Sequence, residues 1–344
     1  MNSANNTLLP SGLMDVLPPL AAAEFDLIGH FLRSFQGFGY QPVIPPLAEY
    51  AETLLAGQGA ATEHHVLRMT DPLNTRQLAL RADITGQVAR IAGGTLGTAP
   101  RPLRLCYAGY TLRAAPEALE TRRQHTQVGI ERFGDMSTPA IAEVLAISVH
   151  ALTRVGVADL TLDLTYPAAM GALLAEFPEA ARAAIHDAVR LKDSAQLRSL
   201  GATVMADVLD ASGAAASVLP RLAAIAHPVV AKAVTELSAL TTALAAQQVP
   251  ARLSIDMLDL AGYGYYSGIG YALYWNAAQL EVGRGGCYRT AAGEDAAGFT
   301  LYINDLLDQL GSRDARPLKS IPYGTPAATA ARLQAEGFVT VYGE

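Results

Sequence analysis

The stretch HTQVGIERFG, residues 125 to 134, alternates as a strand does, so Gln127, Gly129 and Glu131 share one face while Thr126, Val128 and Ile130 share the other. One face is oily and the other is polar around a gap. Glu131 can accept from an ammonium or an imidazole N–H, Gln127 can donate and accept, and the glycine between them leaves space for a small molecule. By the same parity Tyr107, Gly109, Thr111 and Arg113 of LRLCYAGYTLR share a face, again with a glycine in the middle. The pattern fits a solvated sheet face with a surface Arg–Glu pair equally well. Asp83 and Thr85 stand at a strand-to-helix junction, where an aspartate either caps the helix or meets a ligand. In AGYGYYSGIGY, residues 261 to 271, four glycines among four tyrosines would make a poor core strand. They suit a loop that brings its backbone close to a ligand and presents phenols such as Tyr265 and Tyr266, although tyrosines also fill ordinary cores. GRGGCYR, residues 283 to 289, reads as a glycine-rich turn without the spacing or lysine of a phosphate-binding loop. His64 and His65 are adjacent, and neither CxxC, HExxH nor GxSxG occurs, so no metal, no cofactor and no serine nucleophile is expected.

These residues need elements to hold them. Ile28, Phe31, Leu32 and Phe35 predict an amphipathic helix over 20–36, ended by Gly37. FGYQPVIPPLAEY, residues 38 to 50, is β-prone, but its three prolines send it to a sheet edge or an interface. VLRMTD and RQLALRAD predict a hairpin over 66–83 leading into a helix over 84–91. A second hairpin pairs 103–113 with 125–134 across a charged loop holding Glu117, Glu120, Arg122 and Arg123. A helix over 136–155 and a strand over 161–166 follow. Residues 168–248, dense in Ala and Leu, predict a helical insertion. Strands return at 251–260, 267–275 and 279–283, then a helix over 298–310. The expectation is an α+β core over 1–318, an antiparallel sheet flanked by helices, with a strand–helix–strand extension over 319–344.

Composition narrows the function. At 344 residues, 51% apolar and 17% charged, the chain can bury a large core, and Cys106 and Cys287 are too few for a disulfide scaffold. A reduced, cytoplasmic protein is expected. No uninterrupted run of 18 apolar residues suggests a membrane span, and a net charge of −7 argues against a broad nucleic-acid surface.

In this order the segments resemble the class II aminoacyl-tRNA synthetase core of the histidyl type, over roughly residues 8 to 310. GFGYQPVIPP resembles the dimer-forming motif 1, LRADITGQVAR the LRPEGT stretch, and CYAGYTLR with RRQHTQVGIERFG motif 2. GYGYYSGIGY resembles the RGLDYYTG signature, and GRGGCYR through GFTLYINDLL resembles motif 3. The resemblance implies that Asp83 and Thr85 meet an α-amino group, that Glu131 and Tyr266 meet an imidazole, and that Arg113, Gln127 and Tyr265 lie alongside. The departures fall in the activation chemistry. The family's catalytic arginine falls at Ala261, its ATP-gripping arginine at Asp305 and the motif 2 glutamate at Ala115. The anticodon-binding domain is also missing from this sequence. A histidine pocket without adenylation is the pattern of the ATP phosphoribosyltransferase regulatory subunits. Membership there implies a chain with no activity of its own, required by a short-form catalytic subunit in a hetero-octamer and carrying feedback inhibition by histidine. It also implies self-association through the motif 1-like segment. The competing readings are a histidine-binding paralogue with another partner and a truncated histidine-activating ligase.

Overall fold

A computed structural model describes residues 8–56, 65–116, 121–311 and 316–343. Glu117, Glu120 and His64 lie outside the described residues. Helix α1 (Leu20–Gly37) buries Leu27, Phe31 and Phe35 at four-residue spacing and stops at Gly37, as its stripe predicts. Strand β1 (Gln41–Pro42) pairs parallel with β5 (Leu103–Leu112) at the edge of the main sheet, where a proline costs no ladder bond. A separate three-stranded sheet runs β2 (Ala48–Tyr50), β4 (Gln77–Leu80), β3 (Arg68–Thr70), with α2 (Ala51–Leu54) after β2 and α3 (Thr85–Gly93) after β4. The expected hairpin-to-helix unit is therefore present. β6 (Gln124–Phe133) completes the second hairpin with β5, and α4 (Thr138–Arg154) and β7 (Leu160–Thr165) follow.

The next stretch is helical: α5 (Pro167–Leu174), α6 (Glu179–Arg190), α7 (Ser194–Ser199), α8 (Thr203–Asp210), α9 (Ala215–Ala223) and α10 (Pro228–Ala246). One two-residue strand, β8 (Gly213–Ala214), interrupts it and pairs with β9 (Ala251–Ile255) at the far edge of the sheet. By length and composition α10 could cross a bilayer, but Val230, Ala233, Leu237, Leu240 and Leu244 form a buried stripe of alternating three- and four-residue steps in the main core.

The main sheet has nine strands in the order β1-β5-β6-β12-β11-β10-β7-β9-β8, with β10 (Tyr266–Trp275), β11 (Leu280–Arg289) and β12 (Asp295–Tyr302) at its centre. It is antiparallel except for β1 with β5 and β7 with β9. Two expectations are corrected here. Residues 283–289 form the body of β11 rather than a turn, and 298–302 belong to β12, so α11 begins later, at Ile303–Leu310. β12 is buried on both faces, and a short apolar run of that kind has no period to tell strand from helix. One face of the sheet packs on α1, α4 and α11 around Val128, Ile130 and Phe299, and α10 packs in turn on α4. The other carries α3 over Leu105, Tyr107, Phe133 and Tyr288. The chain closes with β13 (Leu318–Pro322), α12 (Ala327–Ala335) and β14 (Val339–Gly343), a parallel pair with its own core of Ile321, Ala330 and Leu333.

Candidate functional site

Strand register assembles the site on the α3 face. Glu131 stands opposite Gly298, Gly298 opposite Gly286, and Gly286 opposite Gly270, so three glycines from three strands lie in a row beside one carboxylate. A Cβ on Gly298 would collide with the Glu131 carboxylate, and one on Gly286 would collide with the Tyr266 ring. The row is bare backbone on which these two side chains lie flat. The next row of the same face holds Tyr288 and Tyr266 on one side of the glycines, and Thr300 and Arg284 on the other.

Glu131 is 1% exposed, which rules out the solvated-face alternative. Its Oε2 accepts from the Tyr288 hydroxyl at 2.8 Å. Burial pushes the carboxyl up to about 8, against the Tyr288 hydrogen bond that lowers it, and the nearby Asp83 charge adds to the rise. Asp83 works in two directions. Its Oδ1 accepts from the Thr85 backbone N–H at 2.8 Å, as a helix-starting aspartate does, while its Oδ2 accepts from Gln127 Nε2 at 3.0 Å. Gln127 Oε1 in turn accepts from the Ile84 N–H at 3.2 Å. The Thr85 hydroxyl lies 3.4 Å from the Tyr107 hydroxyl, which bonds Thr300 Oγ1 at 2.8 Å.

The spaces expected at the two hairpin glycines are occupied by protein. The Tyr107 ring lies across Gly129 and the Arg81 guanidinium across Gly109, where any Cβ would collide with them. Tyr107 leans over from the paired strand β5, whereas Arg81 reaches in from the end of β4 in the separate three-stranded sheet. The glycine row is covered in the same way, by the Glu131 carboxylate over Gly298 and the Tyr266 ring over Gly286.

Of the residues expected to form the site, the structure brings Asp83, Thr85, Gln127 and Glu131 together through this network. Tyr265 comes from the turn before β10 and Tyr266 from the strand's first position, with ring centroids 5.3 Å apart, and Tyr265 stacks on Tyr288 at 5.1 Å. AGYGYYSGIGY is thus half turn and half strand, since β10 begins at Tyr266. Gly262, at φ +76°, lets the turn fold against the Tyr266 ring. Arg113 follows β5 near Tyr302, the residue opposite Gln127, whose phenol burial pushes up while the Arg284 and Arg113 charges partly offset the rise. Arg284 also faces the cleft, but Glu281 holds it through two 2.7 Å bonds. Asp305 places a carboxylate in the first turn of α11.

Sequence reasoning missed Tyr288 and Thr300, and placed Tyr107 on the right face without giving it a partner. The parity of Arg284, Gly286 and Tyr288 would have found Tyr288 had the segment been read as a strand. A cavity of about 290 Å³ uses the Tyr265–Tyr288 pair as one wall and α3 as another. Among the described residues no group of acidic, His and Cys side chains could hold a metal ion. The arrangement can bind a small ligand bearing two basic nitrogens, one for each carboxylate.

The comparisons with known proteins bear on the family and the fold. The histidyl-tRNA synthetase family model matches residues 12–306. An ATP phosphoribosyltransferase regulatory subunit from Paramagnetospirillum magneticum is 38% identical, the alignment covering 99% of this chain and 92% of that protein. Among solved structures, an ATP phosphoribosyltransferase regulatory subunit/histidyl-tRNA synthetase from Bacillus halodurans C superposes with a TM-score of 0.86 at 21% identity, over 100% of this chain and 94% of that one. A chain of the ATP phosphoribosyl transferase (HisG:HisZ) complex from Thermotoga maritima matches with a TM-score of 0.65 at 18% identity, over 81% of this chain and 97% of that one. These two structural likenesses speak for the fold.

Proposed function

This chain belongs to the ATP phosphoribosyltransferase regulatory subunits, and on that premise we propose that it binds free histidine in the Asp83–Glu131 cleft and carries feedback inhibition to a short-form catalytic subunit at the first step of histidine biosynthesis. The chain is the non-catalytic, regulatory partner. The observation that carries the ligand reading is a buried carboxyl, Glu131, laid along the glycine row, with a second carboxylate, Asp83, tied to the same strand through Gln127. An imidazole N–H meets Glu131 and an α-ammonium meets Asp83 and Thr85. Gln127 holds Asp83 in place, Arg113 at the rim attracts the ligand carboxylate, and Tyr265 and Tyr266 close over the ring. Ala261 and Asp305, where the synthetases carry arginines, support binding without adenylation, and the pairing of Arg284 with Glu281 leaves that guanidinium poorly placed for a triphosphate.

Histidine regulates only by binding the active and inactive arrangements of the complex with different affinity. Phe38, Ile44 and Leu47 are exposed apolar residues in and beside the motif 1-like segment, which supports self-association there within a hetero-octamer. The two free, buried cysteines suit a cytoplasmic setting, and the net charge of −7 suits a chain without a nucleic-acid partner.

Reconstitution with a short-form catalytic chain tests the proposal. Activity is expected to require this subunit and to fall on titration with histidine. Calorimetry is expected to find histidine at least about tenfold weaker in Glu131→Ala, the worth of a hydrogen bond to a charged group. Unchanged affinity would remove Glu131 from the site, a histidine-insensitive complex would remove feedback, and pyrophosphate exchange dependent on histidine and ATP would restore the ligase reading.

A further inference from the structure

Arg81 is a charged side chain only 6% exposed, and it bridges two parts of the molecule. Its Nε donates to the Tyr110 carbonyl at 2.7 Å, and its Nη1 donates to the Pro45 carbonyl at 3.0 Å and to Gln87 Oε1 at 3.3 Å. Its backbone N–H reaches the Leu47 carbonyl at 3.2 Å, and its carbonyl accepts from Leu112 N–H at 2.9 Å. Gln87 extends the contact, donating to the Pro46 carbonyl at 2.8 Å and to Glu49 Oε1 at 2.9 Å. Segment 45–47 and strand β5 are thus pinned to one guanidinium. That segment carries Leu47, 53% exposed, and directly follows Ile44, 92% exposed. On the other side the guanidinium lies on Gly109, the residue opposite Gln127 in the β5–β6 register, and Gln127 holds Asp83. Asp83 itself follows Arg81 by two residues. A short path of charge-assisted hydrogen bonds and packed atoms therefore joins the apolar segment to Gln127 and Asp83.

We infer that Arg81 is a positioning residue that couples the exposed apolar segment around Ile44 to the Asp83–Gln127 cleft, so that association with a second copy of this chain and ligand binding act on each other. The inference rests on the proposed histidine site and self-association surface. Coupling of this kind is reciprocal, so whatever association does to the ligand, the ligand does to association.

Sedimentation equilibrium of the full chain with and without saturating histidine measures it. Wild type is expected to change its association constant at least about fivefold with histidine. In Arg81→Met both association and histidine binding are expected to persist, with the shift reduced below about twofold. Arg81→Lys keeps the charge but lacks the planar fork that reaches two carbonyls, and is expected to lie between the two. Ile44→Asp is expected to be monomeric and to change histidine affinity by the wild-type coupling factor, because the coupling is reciprocal. If Arg81→Met does not fold, the lysine variant decides. An undiminished shift in the variants, or a wild type that associates and binds histidine independently, overturns the inference and leaves the binding site standing. A wild type that binds no histidine overturns the proposed ligand, and this inference with it.

Discussion

A buried carboxyl with one hydroxyl donor is held neutral by its surroundings, and Glu131 shows what that does to stability. The folded carboxyl keeps its proton up to about 8, while the ordinary value is 4.5. Between those values the native state binds more protons than the unfolded chain, so stability falls as pH rises through that window. Glu131→Gln removes the titration while keeping size and hydrogen bonding. Urea unfolding at several pH values is expected to show the glutamine variant gaining on wild type by about 1.4 kcal/mol per pH unit across the window. A constant difference would mean that the carboxyl titrates normally. The same neutral state lets Glu131 release a proton when a basic nitrogen arrives. Asp83 illustrates another economy, since one oxygen starts α3 and the other holds Gln127.

At the scale of elements, the site is a property of the β6–β12–β11–β10 register. Gly298, Gly286 and Gly270 matter because they fall in one row with Glu131. An added Cβ at Gly298 collides with the Glu131 carboxylate and approaches the Ile130 carbonyl at 2.6 Å. Gly298→Ala is expected to cost about 1–3 kcal/mol in unfolding, as overpacking does, and to abolish histidine binding measured by calorimetry. Gly268→Ala is its control, because a Cβ there meets the nearest atom, Cys287 Cβ, at an ordinary 3.5 Å. Equal behaviour of the two variants would show that the glycine row does not shape the cleft. The hairpin elements were legible because strands half-buried on one face alternate visibly. β11 and β12 were not, because glycines and two-sided burial erase the alternation.

The whole molecule separates the cleft from most of what stabilises it. The core between the sheet and helices α1, α4 and α11, with α10 packed on α4, lies on the face opposite Glu131. Leu237, fully buried on α10, tests that separation. Leu237→Ala is expected to cost about 2–5 kcal/mol in denaturant unfolding while leaving histidine affinity within about twofold. A large loss of affinity would show that the two faces communicate through the sheet. α10 also shows how composition misleads, since a helix apolar enough for a bilayer spends its stripe on the core.

The sequence alone determined the hairpins, the order of elements, the parity that puts Gln127 and Glu131 on one face, and the motif resemblance. Each of these is written in neighbouring residues or in a linear order. Tertiary structure alone decided that Tyr107 and Arg81 fill the glycine gaps, that three strands supply one glycine floor, and that Glu131 is buried under Tyr288. Those facts depend on which strands pair and in what register, and pairing brings together residues whose separation along the chain carries no local signal.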